Sequence, residues 1–123
     1  MASLEDKKRA VARYIETVSA GDLDGILSLY TEDATLEDPV GSAPVVGHAA
    51  IRAFYERATK MGIRLELTGP VRIAGDEAAF PFRVSTVGGP KMTIDVIDVF
   101  RFDEAGKVVS MRAYWGKENM KMG

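Results

Sequence analysis

The chain has no cysteine, and its one histidine is His48. The first absence excludes disulfides, a thiol nucleophile and thiolate metal sites. The second excludes a histidine-rich metal site built by one chain. Neither sign of charge dominates: 16 Lys and Arg stand against 18 Asp and Glu, interleaved, for a net charge of −2. The basic patch expected of a nucleic-acid binder is therefore missing. No apolar run approaches the roughly 18 residues of a membrane span. The N-terminal "MASLEDKKRAVARY" is charged and lacks the apolar core of a signal peptide. The expectation is a soluble cytoplasmic protein that binds neither nucleic acid nor membrane.

What is present is ordinary in bulk and unusual in detail. The chain has 123 residues, 46% of them hydrophobic and 28% charged. That composition suits a globular protein, and the length predicts one domain over 1–123. At this size about two-thirds of the unfolded surface can be buried, enough for a real core.

Helical signals come first. Ser3 can cap a helix, with Glu5 and Asp6 in its first turn. Leu4, Val11, Tyr14, Ile15 and Val18 recur at helical spacing, and Gly21 ends the run. Asp22 can cap a second short helix with Leu23, Ile26, Leu27 and Tyr30 on its apolar side. "TEDATLEDPVG" reads as a short strand ending in a turn. Gly47 precedes a third helix with Ile51, Phe54, Tyr55 and Ala58 in one stripe, stopped by Gly62.

Beyond residue 62 the period changes from 3.6 to 2. Ile63, Leu65 and Leu67 alternate with polar residues, as do Ala78, Phe80, Phe82 and Val84 in the next segment. "TIDVIDVFRF" and "KVVSMRAYW" follow, separated by the turn signals "VGGPK" and "DEAG". Val109, Met111, Ala113 and Trp115 share one face of the last segment. Four strands on short turns predict an antiparallel meander, and three helices must then cover one face of it. The fold class is α+β.

One residue resists this pattern. In residues 93–102, Ile94, Val96, Asp98, Phe100 and Phe102 share a face, so Asp98 stands among four apolar side chains. An ionised carboxylate there would cost several kcal/mol, and the group would keep its proton instead. A neutral aspartic acid is a hydrogen-bond donor. The plainer alternative, that Asp98 caps a backbone group or pairs with a buried arginine, stays open on pattern alone. Asp95 falls on the opposite, mixed face. Asp38, before Pro39, is a second candidate, although "DPVG" is also turn chemistry. Tyr14, Tyr30 and Tyr55 lie on the apolar sides of their helices, where a buried tyrosine commonly just finds a partner for its hydroxyl. His48 reads as a surface residue, and Met111 and Trp115 as core or ligand wall.

Together these pieces resemble one family. "RYI" around Tyr14, "AGDLDGI", "EDATLEDPVG", "AFY" ending at Tyr55, "FPFRV" and "DVIDVFRFDEAGKVVSMRAYW" occur in the order found in Δ5-3-ketosteroid isomerases, small members of the nuclear transport factor 2-like superfamily. The resemblance runs from Tyr14 to Trp115. It implies a cone-shaped, mostly antiparallel sheet whose inner face is covered by three helices. It also implies roles. Asp38 matches the general base. Tyr14 matches the phenol of an oxyanion hole and Asp98 its neutral acid, a family property already known as a case of a carboxylic acid kept protonated at pH 7. Tyr30 and Tyr55 match a hydroxyl network behind Tyr14. Phe54, Phe82, Met111 and Trp115 match the apolar wall along a steroid. No cofactor or metal is implied. The connection at residues 87–91 looks short, which bears on the pocket rim.

Two other readings compete: a polyketide cyclase or epoxide hydrolase of the same superfamily, and a non-catalytic module binding a steroid or another flat apolar ligand. Ile97, Val99, Val108 and Tyr114 make the outward face of the last strands apolar. Such a patch suggests a partner. Since the family forms homodimers, the expectation is a dimer through the sheet.

Overall fold

The computed structural model describes residues 2–123. The elements run α1 (Leu4–Ala20), α2 (Leu23–Leu27), β1 (Tyr30–Glu37), β2 (Val45–Val46), α3 (His48–Lys60), β3 (Ile63–Leu67), β4 (Arg72–Ala74), β5 (Glu77–Thr86), β6 (Met92–Phe102) and β7 (Val108–Tyr114). A 3₁₀ turn (Lys117–Asn119) and β8 (Met120–Met122) close the chain. The α+β expectation holds.

Local chemistry sets the helix ends. Ser3 and Asp6 form a reciprocal capping box, with the Asp6 N–H donating to Ser3 Oγ at 3.0 Å. Gly21 (φ 67°) stops α1 in the left-handed conformation. Its N–H donates to the Val18 carbonyl and that of Asp22 to the Thr17 carbonyl, so both orphan carbonyls are satisfied. Asp22 then caps α2 by accepting from Gly25 N–H at 3.0 Å. The buried face of α1 is Lys7, Ala10, Val11, Tyr14, Thr17 and Val18. Leu4, expected in that stripe, is exposed. Lys7 takes the inward place, its apolar stem covered and its ammonium donating to the Gly75 carbonyl at 2.6 Å.

The sheet has eight strands, with the order β2-β1-β7-β6-β5-β3; β4 also pairs with β5, and β8 with β6. Pairing of β3 with β5, β5 with β6 and β6 with β7 is antiparallel, as the meander predicts. Two features go beyond that expectation. β1 joins the sheet parallel to β7, with Glu37 opposite Arg112. The C-terminal β8 extends the free edge of β6 at Met92–Ile94, where β7 no longer reaches.

Alternation along β6 is as read: Val96, Asp98, Phe100 and Phe102 are buried, while Asp95, Ile97 and Arg101 are exposed. Asp95 meets its cross-strand neighbour Arg83, Nε to Oδ1 2.8 Å, on the outer face. In β7 one assignment is corrected. Val108, expected outside, is fully buried. The register slips between Arg101, opposite Ser110, and Phe102, opposite Val108, so Val109 is the extra residue of a bulge. One inserted residue reverses the faces on one side of it. The outward patch therefore comprises Ile97 (48% exposed), Tyr114 (43% exposed) and the half-buried Val99, without Val108. Among the described residues no helix is long and apolar enough to cross a membrane.

Candidate active site

A cavity of about 220 Å³ opens between α1, α3 and the inner face of the sheet. Among its lining residues only Tyr14, Asp38, Tyr55 and Trp115 carry polar side-chain atoms; Phe54, Phe82, Val84, Met92, Ile94 and Val96 are among the apolar rest. Such a pocket holds an apolar ligand and orients it by few polar groups.

Tyr14 comes from the buried face of α1. Its ring packs edge-to-face on Phe100 (centroids 5.0 Å apart, 85° between planes) and against Phe80 and Phe82 at 6.0 and 6.5 Å. These contacts fix the phenol by shape. Its hydroxyl ends a chain. Tyr55 donates to Tyr14 at 3.2 Å, and the hydroxyls of Tyr30 and Tyr55 are 2.6 Å apart. A phenol has one proton to give. Tyr55 spends its proton on Tyr14, so Tyr30 is the donor to Tyr55, and the Tyr14 proton is left free. Burial is the largest cause that pushes all three phenols well above their ordinary pKa, so they stay protonated donors. His48, expected at the surface, is half-buried, with Nε2 2.9 Å from the Tyr30 carbonyl.

Asp98 lies one inward step beyond the cavity-lining Val96, between Phe80 on β5 and Ala113 on β7. It is 1% exposed, and neither carboxyl oxygen has a hydrogen-bond partner. Neither a backbone cap nor a buried arginine, the plainer alternatives, is present. Burial raises its pKa well above the ordinary carboxylate value, and the negative charge of Asp38 adds to the rise. The Tyr14 hydroxyl is near enough to oppose this slightly, but without hydrogen-bond geometry.

Asp38 follows β1 directly and is half-buried. Trp115, just beyond β7, donates its indole N–H to Asp38 Oδ1 at 2.7 Å. Burial raises the Asp38 pKa, and the Trp115 bond lowers it again in part. The indole is thus more than the apolar wall read from sequence. Phe54 and Phe82 line the cavity as expected, whereas Met111 does not: it is fully buried opposite Phe100, behind the lining. Sequence reasoning also passed over Glu37 and Arg112, whose side chains meet at 3.1 Å on the outer face. Their position is readable only once the parallel β1–β7 register is known.

Three helices on a mixed, mostly antiparallel sheet, enclosing an apolar pocket lined by Tyr14, Tyr55, Asp38 and Trp115 with Asp98 and Tyr30 buried outside that lining, define an NTF2-like α+β protein. The sequence model of the SnoaL-like domain matches residues 11–111, and the chain belongs to that family. A steroid Delta-isomerase of Nocardioides simplex is 45% identical over 114 residues, 92% of this chain and 92% of that protein. The epoxide hydrolase LasB of Streptomyces lasalocidi is 34% identical over 117 residues, covering 89% of this chain but 41% of its own length. The solved structure of SalBIII, an epoxide hydrolase/cyclase-like enzyme with a role in pyran ring formation in the polyether salinomycin, matches all of both chains with a TM-score of 0.93 at 29% identity.

The Asp98 environment yields a prediction. In the unfolded chain an aspartic acid titrates near about 3.9. The folded pKa is raised, so the group's contribution to stability is fully present below that value. It is then lost as pH rises towards the folded pKa, by up to about 1.4 kcal/mol per pH unit. Asp98→Asn has no such loss, and Asp38, present in both proteins, cancels to first order. Urea unfolding at pH 5 and pH 8 is expected to show the mutant gaining on wild type between the two. An equal difference at both pH values contradicts a buried neutral acid.

Proposed function

We propose that the protein isomerises Δ5-3-ketosteroids to conjugated Δ4-3-ketosteroids through a dienolate, moving one proton from C4 to C6. The Asp38 carboxylate takes the C4 proton, the electrons of that bond pass into the carbonyl, and the charge grows on the C3 oxygen. Tyr14 and neutral Asp98 donate to that oxygen. Asp38 then returns the proton to C6 and is regenerated. Phe54, Phe82 and Trp115 contact the flat apolar rings, and Met111 backs the wall from behind. The steroid is the only partner the reaction needs besides the protein.

The observation that carries this reading is the pair of unspent donors. The Tyr14 proton is left over from its hydroxyl chain, and Asp98 has no partner within the protein. Fixed donors in a dry site contribute about 10²–10³ in rate each. The 45% identity to a steroid Delta-isomerase supports the same choice of substrate.

A second reading is favoured by the likeness to LasB and SalBIII. An acid that protonates an epoxide oxygen and a base that activates a hydroxyl nucleophile are the same two residue types, and fold does not fix the reaction. A non-catalytic binding module is the third.

The deciding experiment mixes the protein with 5-androstene-3,17-dione and follows the ultraviolet band of the conjugated enone. A rise is expected; binding without a rise favours the module, and neither favours the epoxide chemistry. Asp38→Asn keeps the shape but cannot accept a proton. It is expected to bind steroid and lose about 10²–10⁴ in turnover; more than a tenth of the wild-type rate contradicts Asp38 as the base. Tyr14→Phe should lower kcat with little change in KM, since its bond strengthens in the transition state. A change confined to KM overturns that role.

We also propose a homodimer through the outer face of β6 and β7, because Ile97 and Tyr114 leave an apolar patch in water. Sedimentation at micromolar concentration should show twice the 13.4 kDa chain mass. A single species at chain mass refutes it.

A further inference from the structure

We propose that Glu37 and Arg112, on the outer face of the sheet, are positioning residues that hold the Asp38 carboxylate in place from behind; the catalytic part of this inference rests on the reading of Asp38 as the base.

Strand alternation sends neighbouring side chains to opposite faces. Leu36, Met111 and Ala113 are buried on the inner face, and Asp38 and Trp115 meet there. Glu37, Arg112 and Tyr114 fall between them and point outward. The parallel register sets Glu37 opposite Arg112. Inside, one strand end is tied to the other by the Trp115–Asp38 bond. Outside, Arg112 Nε donates to Glu37 Oε1 at 3.1 Å, one residue from Asp38.

Glu37 also closes the turn that carries Asp38. Its Oε2 accepts the Gly41 N–H at 2.8 Å. One carboxylate thereby joins both sides of the four residues from Asp38 to Gly41. The Val40 N–H donates to the Ala113 carbonyl at 2.8 Å and fastens the middle of the turn to β7. Arg112 is itself held: its NH1 donates to the Tyr114 hydroxyl at 3.0 Å, and its guanidinium lies 5.6 Å from that ring. The Gly41 N–H, then Arg112, keep the Glu37 carboxyl below its ordinary pKa, so it stays ionised.

An exposed ion pair contributes little to stability. Its loss leaves a folded protein whose Asp38 turn keeps the Val40–Ala113 and Trp115–Asp38 bonds but loses its outer tie. A carboxylate that reaches both C4 and C6 of a bound steroid needs its place fixed closely, and displacement by about 1 Å can cost on the order of 100-fold.

Trp115 is the single tryptophan, so protein emission reads its contact with Asp38 directly. The experiment compares wild type, Glu37→Ala, Arg112→Ala, the double variant and Asp38→Ala as a reference lacking the acceptor. In ligand-free protein at pH 8, tryptophan emission of Glu37→Ala and Arg112→Ala is expected to lie between wild type and Asp38→Ala. With 5-androstene-3,17-dione, kcat should fall by about 5- to 100-fold while KM stays within about twofold. The double variant should be no slower than Glu37→Ala, because Arg112 acts through Glu37. Emission identical to wild type, an unchanged kcat, or multiplying losses in the double variant overturns the proposal. Should Glu37→Ala fail to fold, Glu37→Gln replaces it, with the same expected direction. If wild type does not conjugate the steroid, the reading of the site fails separately, and the emission comparison alone decides the clamp.

Discussion

A carboxyl group enclosed by apolar side chains, with no partner on either oxygen, is the constraint around which the rest of this molecule is arranged. Ionised, Asp98 would carry a desolvation cost of several kcal/mol that no cation or donor repays, and the pKa shift shows burial deciding the matter. Protonated, it still holds an unmade hydrogen bond, at about 1–3 kcal/mol. Native interiors rarely tolerate such groups, and each one asks for a reason. Here the reason lies next door. The hydroxyl chain from Tyr30 through Tyr55 to Tyr14 ends with a free proton beside the same cavity. A buried carboxyl without a partner and a phenol with its proton unspent thus lie near one another, and the proposed isomerisation gives both a use.

Asp38 is the counterpart, and its difference from Asp98 is physical. Both are raised by burial, but Asp38 sits at the cavity lining and accepts a 2.7 Å bond from Trp115 that favours its charged form. Asp98 has no such donor. As pH rises, Asp38 therefore loses its proton first, and its new charge pushes Asp98 further up. The same residue type is thereby pushed further apart: Asp38 at the cavity lining favours its charged form more than the enclosed Asp98 does.

Much of this was legible in the sequence because it depends on period and burial alone. The face of β6 that carries Asp98, the inward Tyr14 and Tyr55 and most of the helical stripes follow from counting by 2 and by 3.6, whereas Tyr30, counted onto the second helix, instead opens β1. The failures have a common cause: they depend on what lies opposite. Val108 was misplaced because a bulge against Phe102 reverses the face, and nothing in "KVVSM" announces it. Met111 as ligand wall came from the family resemblance, while alternation gives the face but not the depth that places it in the core. Lys7 displaced Leu4 because its ammonium finds the Gly75 carbonyl across the fold. Trp115 was read by its ring alone, since only the fold brings Asp38 to its N–H.

The parallel pairing of β1 with β7 explains that last meeting. In a parallel pair both strands end on the same side of the sheet. Asp38 leaves the end of β1 and Trp115 the end of β7, with Glu37 opposite Arg112 just before. Had β1 been antiparallel, its end would lie beside the start of β7, and Asp38 would be carried away from the indole. Alternation then separates the two faces of that shared end. The inner side meets the cavity through Asp38 and Trp115, and the outer side carries Glu37, Arg112 and Tyr114. Substitutions inside can alter the chemistry of the pocket without disturbing the outer contacts. The same fold can accordingly accompany the different reactions named for its relatives. What distinguishes them is to be sought in the inward residues that line the pocket.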